Sequence, residues 1–467
     1  MGGIETNMAK RRIVLIGYRG TGKSSVGKIL SSITGEKYLD TDEAIEETTQ
    51  MKIPKIFQSA GEEGFREIEH QVIERIPHDT GIISTGGGCI TRPANVSLLR
   101  KNSLVVLLTA PPDVIYNRIC ATDRPALTML SAKDEIETML KERMPLYRSA
   151  ADVVVDTSVA TPEHVAAEIV NMVKNGICNL EKRKELVESV MKTPIPAGER
   201  AHLQKISNDH DTFLYGILGY PCMHSKSPGI YNRLFAEYMM PAHYTWFEHP
   251  DPGAFVSTLH GTGVRGLSVT IPHKETIIPY LDEIRHDAES IGAVNTILIQ
   301  GKETFGFNTD WKGIYRPLEG VSGNTAIILG AGGAAAAAVY AVSMRGFTPV
   351  IVNRSPDRAK HLAMRTGAEI STYDDITKIH PDLVINATPV GMGSDRTIPI
   401  SPSVLKSDMT VFDLVYTPRD TPLLQAALAA GCSVIPGTEM FIHQLAEQFR
   451  LLTGIDVPVS HIREMLS

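Results

Sequence analysis

The apolar run Ile13-Val14-Leu15-Ile16 leads without a break into Gly17-Tyr18-Arg19-Gly20-Thr21-Gly22-Lys23-Ser24, which fits G-x-x-x-x-G-K-[ST]. This order dictates a buried strand, a tight loop and a helix opening at Gly22. Only that arrangement lets backbone N–H groups close around phosphate oxygens at a helix N-terminus. In such a loop Gly17, Gly20, Thr21, Gly22, Lys23, Ser24 and Ser25 are candidates to hold a nucleotide. Lys23 reaches the β and γ oxygens, and Ser24 offers a hydroxyl to Mg²⁺. The acceptor of the phosphoryl group has to come from elsewhere in the chain.

From residue 12 to about 175, β-branched runs such as Gly81-Ile82-Ile83-Ser84, Leu104 to Leu108 and Val153-Val154-Val155 alternate with amphipathic stretches. That alternation predicts an α/β unit with a parallel sheet over 1–175. From 176 to 212 the apolar rhythm weakens, Glu181-Lys182-Arg183-Lys184-Glu185 cluster, and Pro194, Pro196 and Gly198 interrupt. This stretch reads as a partly helical linker; as a coil its 37 residues would span ~35 Å.

A second α/β unit starts at Phe213-Leu214-Tyr215-Gly216-Ile217-Leu218-Gly219 and holds its own glycine turn, Gly330-Ala331-Gly332-Gly333-Ala334-Ala335, after the run Thr325 to Leu329. The turn fits G-x-G-x-x-[GA] and predicts a Rossmann half over 321–440, preceded by a substrate half over 213–320. Residues 441–467 are expected to be helical and to pack back on the substrate half. The strand Pro349 to Val352 ends in Asn353-Arg354-Ser355, where such a unit reads the ribose. An acidic residue there would accept from a 2′-OH; Arg354, with Arg358 one turn on, pairs a 2′-phosphate instead, so NADP is favoured over NAD. The uncharged run Thr325 to Met344 is long enough to span a membrane, but its glycines predict strand, turn and small-residue helix.

Composition excludes other classes. Forty-six Lys+Arg against 53 Asp+Glu give a net charge of −7, which argues against nucleic acid as the main partner. Basic groups at a site must then be local. Five cysteines, at 89, 120, 178, 222 and 432, never pair as C-x-x-C, so neither a disulfide framework nor a zinc cluster is expected. A reducing cytoplasm is therefore the expected home, and no apolar run long enough for a signal peptide precedes Gly17, so neither export nor a membrane partner is expected.

In the first unit, alternation along an extended Asp40-Thr41-Asp42 would put both carboxylates on one face, one for the metal and one for a substrate hydroxyl. A solvated acidic turn fits the same residues. Phe65-Arg66, Ser84 to Gly88, Arg124-Pro125 and Leu146-Tyr147-Arg148 follow in order. With the phosphate loop and D-x-D, they make residues 12 to about 170 resemble shikimate kinase. The resemblance implies ATP and Mg²⁺, with Asp40 near the metal through water and Asp42 as base on the shikimate hydroxyls. It further implies Arg66 and Arg148 as a clamp on the substrate carboxylate, Gly87 as a backbone contact, Arg124 on a lid over the transferring phosphate, and Arg118 near the adenine. Arg forks suit a carboxylate substrate, and phosphoryl transfer needs positioned positive charge more than covalent chemistry.

In the second unit stand His224-Ser225-Lys226-Ser227-Pro228, Val269-Thr270-Ile271-Pro272-His273-Lys274, Gly292 to Thr296, Gly306 to Asp310, Asn386 to Met392, Asp413-Leu414-Val415-Tyr416 and Gly437 to Gln444. This ordered set resembles shikimate dehydrogenase over 213–467. It implies that Ser225 and Ser227 hold the substrate carboxylate and that Thr270, Asn295, Tyr416 and Gln444 hold the ring substituents. Lys274 and Asp310 would form the catalytic proton-transfer pair. Gly330, Ala331, Gly332, Gly333, Ala334, Asn353, Arg354, Ser355, Arg358, Leu414 and Gly437 would bind NADPH. Ketone reduction needs hydride at carbon and a proton at oxygen, so an ammonium oriented by a carboxylate is the expected pair. Tyr231 and Ser268 depart from the family's frequent His and Asn, which bears on substrate positioning, and Ser227 leans toward shikimate over quinate.

The two resemblances together imply a bifunctional enzyme that reduces 3-dehydroshikimate with NADPH and phosphorylates shikimate with ATP. One rival joins a quinate dehydrogenase to another small-molecule kinase. Another is a catalytically dead regulator of quinate use, against which Lys23, Ser24, Asp42, Lys274 and Asp310 are all retained.

Overall fold

The computed structural model describes residues 12–120, 132–175, 178–209, 212–300 and 303–466. In the first sheet β1 (Arg12–Ile16), β2 (Lys37–Asp40), β3 (Thr80–Ser84), β4 (Ser103–Thr109) and β5 (Val153–Asp156) run parallel in the order β2-β3-β1-β4-β5. Val14 and Leu15 of the central β1 are wholly buried, as their unbroken apolar run requires. The chain leaves β1 toward one side and returns to β4 on the other, so a crevice opens at the carboxyl end of β1, where the glycine loop sits. Helix Lys23–Thr34 follows, burying Val26 and Leu30 and stopping at Gly35, whose φ of 74° is the left-handed cap geometry.

The second sheet is mixed. Its strands β6 (Phe213–Gly219), β7 (Ala242–Glu248), β8 (Val264–Val269), β9 (Glu283–Ile284), β10 (Thr296–Gln300) and β11 (Glu303–Phe307) stand in the order β7-β6-β8-β10-β11-β9. Here β10 runs antiparallel to both β8 and β11. The third sheet is wholly parallel, with β12 (Thr325–Leu329), β13 (Thr348–Val352), β14 (Glu369–Ser371), β15 (Leu383–Asn386), β16 (Thr410–Asp413) and β17 (Ser433–Ile435) in the order β14-β13-β12-β15-β16-β17. That is the doubly wound order of a dinucleotide-binding sheet, with β12 at the reversal. The uncharged run at 325–344 divides into β12, a turn and helix Gly333–Met344, and no helix among the described residues is long and apolar enough to cross a membrane.

The stretch expected as a linker is more ordered than its charge pattern suggests. Helices Leu180–Met191 and Ala197–Ile206 bury Leu186, Val187, Val190, Leu203 and Ile206 against Leu214, Leu218 and Phe247 of the second sheet. Arg183, wholly buried, donates to the carbonyl oxygens of Thr262, at 2.9 Å, and Asp209. Apart from Arg183, the charge cluster is the solvent face of an amphipathic helix whose other face is core, so the coil span does not apply here.

Helix Gly437–Thr453 packs Leu445, Phe449 and Leu452 on Phe213, Tyr215 and Tyr231, and it also contacts helix Ala132–Ala150 of the first unit. A Cβ on Gly454 would lie 2.9 Å from the Cα of Ala150, so the two units meet backbone to backbone there.

Candidate active sites

The loop after β1 is held by its glycines and by Lys23. Gly17 has a φ of 142°, and a Cβ there would lie 2.4 Å from the carbonyl oxygen of Leu108. Lys23, buried, turns its Nζ into the loop and donates to the carbonyl oxygens of Gly17 (2.8 Å) and Tyr18 (2.9 Å), while Thr21 Oγ1 donates to Tyr18 O at 2.8 Å. Ser25 is exposed on the first turn of the helix. Ser24 Oγ donates to Asp40 Oδ2 at 2.8 Å, as does the Tyr38 hydroxyl at 3.1 Å. This hydroxyl and carboxylate are hard oxygen donors of the kind Mg²⁺ takes in ones and twos, leaving phosphate and water to complete its shell.

Asp40 and Asp42 do not alternate along an extended segment. Asp40 ends β2 and caps helix Thr41–Thr49, its Oδ1 accepting from the Asp42 backbone N at 3.0 Å. Asp42 therefore stands in the first helical turn, where a Cβ on Gly86 would lie 2.6 Å from its Oδ1. Arg66 donates to Glu69 Oε2 at 2.9 Å and spreads over Gly88, where a Cβ would lie 2.3 Å from its Nη2. Burial raises the Glu69 carboxyl above its ordinary pKa, the Arg66 guanidinium opposing the shift. Asp42, Arg66 and the glycine run 86–88 thus converge beside the phosphate loop. Arg118 donates to Thr157 Oγ1 at 3.0 Å and to Gly20 O at 3.4 Å, at the rim of the loop. Arg124 lies outside the described residues.

Arg148 has to be corrected. Its Nη1 lies 3.4 Å from Gln300 Oε1 and 3.4 Å from Glu303 Oε2, and its guanidinium sits 4.2 Å from the centre of the Phe305 ring, all in the second unit. The arginine that faces the glycine run is Arg143, whose Nη1 donates to Gly87 O at 3.5 Å, beside the Tyr147 hydroxyl on the same oxygen. Helical phase explains the difference. Residues four apart share a face, so Arg143 follows Tyr147 into the site, whereas Arg148, one residue on, turns about 100° away.

A cavity of about 920 Å³ separates the second and third sheets. Ser225, Ser227, Thr270, Lys274, Asn295 and Asp310 line one side, Tyr416 and Gln444 another, and Gly330 to Ala334, Asn353, Arg354, Arg358, Leu414 and Gly437 the dinucleotide side. Ser355 is not on the wall; it precedes helix Pro356–Thr366, and its carbonyl oxygen accepts from Asn353 Nδ2 at 2.9 Å. Lys274 Nζ lies 2.5 Å from Asp310 Oδ2, with Lys274 18% exposed and Asp310 4%. Asn295 Nδ2 donates to Asp310 Oδ1 at 2.8 Å, so one carboxylate oxygen is anchored and the other faces the ammonium. Ser225 and Ser227 place their hydroxyls 3.2 Å apart. Gly333 stands against Lys274, where a Cβ would lie 3.4 Å from the lysine Cβ, so the glycine turn adjoins the Lys274–Asp310 pair. Arg354 and Arg358 are exposed on the wall, and neither forms an ion pair among the described residues. A tight glycine cradle with two such arginines fits a phosphorylated dinucleotide.

Gln448 escapes a reading of the sequence alone, although it lies one turn beyond Gln444 on the same helical face. Buried at 2% exposure, its amide donates to Asn295 O (3.0 Å) and Thr296 Oγ1 (2.7 Å), and its oxygen accepts from Tyr231 (2.9 Å) and Ser268 (2.6 Å). The two departures, Tyr231 and Ser268, therefore meet on one amide, with the Tyr244 hydroxyl donating to Ser268 at 2.5 Å.

Comparison with known proteins agrees with both halves. Residues 19–174 match the family described as shikimate kinase. Residues 217–297 match the shikimate dehydrogenase substrate binding domain, 315–419 the shikimate / quinate 5-dehydrogenase family, and 437–466 the shikimate 5′-dehydrogenase C-terminal domain. The chain is 40% identical over 261 residues to the shikimate dehydrogenase (NADP(+)) of Maridesulfovibrio salexigens, covering 54% of this chain and 96% of that protein. It is 38% identical over 257 residues to that of Pyrococcus abyssi, covering 54% and 96%. Among solved structures, shikimate 5-dehydrogenase from Thermus thermophilus in complex with NADP(H) and shikimate aligns at 32% identity and TM-score 0.50, over 54% of this chain and 97% of that one. Quinate dehydrogenase from Corynebacterium glutamicum in complex with NAD aligns at 31% and TM-score 0.52, over 55% and 98%. With its phosphate-loop unit matched to one family and the cavity-bearing remainder to another, the chain belongs to the shikimate dehydrogenase family and carries a shikimate kinase domain in the same polypeptide.

Proposed function

We propose that this chain reduces 3-dehydroshikimate to shikimate with NADPH and phosphorylates shikimate to shikimate 3-phosphate with ATP and Mg²⁺. The observation that carries the reading is that each glycine loop adjoins a built site of the matching chemistry: Lys274–Asp310 beside Gly333, and Asp42 with Arg66 beside Gly17 to Ser24.

In the reductase site Ser225 and Ser227 receive the substrate carboxylate, and Thr270, Asn295, Tyr416 and Gln444 orient the ring. NADPH supplies the hydride when bound. Lys274 Nζ gives a proton to the carbonyl oxygen as it gains charge, and Asp310, anchored by Asn295, keeps the ammonium aimed. Arg354 and Arg358 pair with the 2′-phosphate. In the kinase site Arg66 and Arg143 hold the shikimate carboxylate, Asp42 accepts the proton of the attacking hydroxyl, and Lys23 stabilises charge on the transferring phosphate. Mg²⁺, when bound, neutralises phosphate charge, and Ser24 and Asp40 are the residues that hold it.

The arginine assignment separates two variants. Arg143→Met removes a charge-assisted contact and should raise the KM for shikimate about 10- to 100-fold in the kinase assay. Arg148→Met should raise it far less. Steady-state kinetics with shikimate varied at saturating ATP checks this, and the reverse ranking would restore Arg148 to the site.

The likeness to a quinate dehydrogenase makes substrate choice the direct test. With NADP⁺, kcat/KM for oxidation of shikimate should exceed that for quinate by about tenfold or more. A quinate value equal to or above that for shikimate would overturn the substrate assignment.

A further inference from the structure

The reductase half closes the end of a kinase helix. Helix Ala132–Ala150 carries Arg143 and Tyr147 to Gly87, and it ends against the second sheet. A helix leaves its last carbonyl groups without intrahelical donors. Here Ala151 N donates to Tyr147 O at 3.0 Å, and the oxygens of Arg148, Ala150 and Ala151 beyond it are taken by side chains. Gln300 Nε2, at the end of β10, donates to Arg148 O. Arg265 Nη2, from β8, donates to Ala151 O at 2.6 Å. Between them Arg100 of the kinase half donates to Ala150 O and, at 2.9 Å, to Asp152 Oδ1. Gln300, Arg265, Arg100 and Asp152 are exposed by 3%, 8%, 5% and 2%, so water does not replace these donors.

Two of the three capping side chains therefore come from the other enzyme. The helix needs them for a local reason. Pro145 sits inside it, between Arg143 and Arg148, and has no N–H to give the preceding turn, so the last turn is tied to the rest by fewer hydrogen bonds. Cationic side chains at a helix C-terminus also oppose its negative end. The Arg148 side chain, drawn out to Gln300, Glu303 and Phe305, grips the same surface. Tyr147 and Arg148 are adjacent, so the turn fixed from the reductase side is the one that meets Gly87.

We propose that Gln300 and Arg265 are positioning residues for the kinase: they hold the last turn of helix Ala132–Ala150 so that Arg143 and Tyr147 face the shikimate site. On this reading the sheet of one unit supports the helix that faces the shikimate site of the other. This rests on the kinase reading above and adds to it a part played by the reductase half.

The test uses the full chain with Gln300→Ala, Arg265→Met and Arg265→Lys, measuring phosphorylation against shikimate and against ATP, with NADP-dependent shikimate oxidation as the control on folding. Gln300→Ala and Arg265→Met should each raise the KM for shikimate about five- to tenfold, the worth of one buried hydrogen bond. The KM for ATP and the oxidation rate should stay unchanged, and Arg265→Lys, which keeps a donor, should recover most of the loss. Shikimate KM unchanged in both variants would overturn the proposal, as would parallel loss of affinity for shikimate and ATP or loss of both activities in Gln300→Ala. If Arg265→Met alone fails to fold, Gln300→Ala decides. Wild-type protein inert toward shikimate and ATP would instead overturn the kinase reading itself.

Discussion

Lys274→Ala should lower kcat/KM for NADPH-dependent reduction by about 10²- to 10⁴-fold, the range of a general acid, while ATP-dependent phosphorylation of supplied shikimate continues at the wild-type rate. The size of the loss follows from the surroundings of the ammonium. Lys274 Nζ is 2.5 Å from Asp310 Oδ2, and the Asp310 carboxylate, 4% exposed, is held on its other oxygen by Asn295 at 2.8 Å. Among the described residues no other ammonium lines the cavity, so the carbonyl oxygen would lose its proton donor. Removing the lysine also leaves the Asp310 carboxylate buried without its cation, which is costly. The substrate contacts from Ser225, Ser227 and Thr270 remain, so the fall should lie mainly in kcat. Stopped-flow or steady-state NADPH absorbance with 3-dehydroshikimate measures it. Reduction at near wild-type rate would remove Lys274 from the mechanism.

Lys23→Ala should produce the opposite phenotype. Phosphorylation should fall by about 10²- to 10³-fold, the cost of removing one preorganised charge from a developing anion, with NADPH-dependent reduction unchanged. Lys23 also holds the loop together: its Nζ ties the carbonyl oxygens of Gly17 and Tyr18 at 2.8 and 2.9 Å. The variant loses the inward-facing cation and the clasp together, so kcat and the KM for ATP should both worsen. A coupled ADP assay reads the kinase arm. Equal damage to both activities would indicate general misfolding and not loss of one site.

Much of this is legible in the chain because phosphate loops write themselves locally. Strand, glycines and helix lie next to one another in sequence, so Gly17 to Ser24 and Gly330 to Ala334 need no tertiary information. Lys274 and Asp310 stand out by resemblance, and the fold brings the ends of β8 and β11 together to pair them. Arg148 is misplaced when L-Y-R is read as a string, whereas on a helix the partner of Tyr147 is Arg143, four residues back. Asp40 and Asp42 look like strand neighbours; the strand ends between them, and the first caps the helix that carries the second. The stretch at 176–212 resembles a linker because its charges dominate, although Leu186, Val187 and Val190 already have helical spacing. Interunit contacts such as Gln300 to Arg148 O leave no local signal, since the two residues lie on elements of different units and meet only after both halves fold.

The central claim is that one chain performs two consecutive reactions on one skeleton. Incubating the wild-type protein with 3-dehydroshikimate, NADPH, ATP and Mg²⁺, and following NADPH, ADP and product by absorbance and mass spectrometry, tests it most directly. Shikimate 3-phosphate should form with one NADPH oxidised and one ADP released per molecule. NADPH left unoxidised, or shikimate accumulating without ADP, would contradict the account.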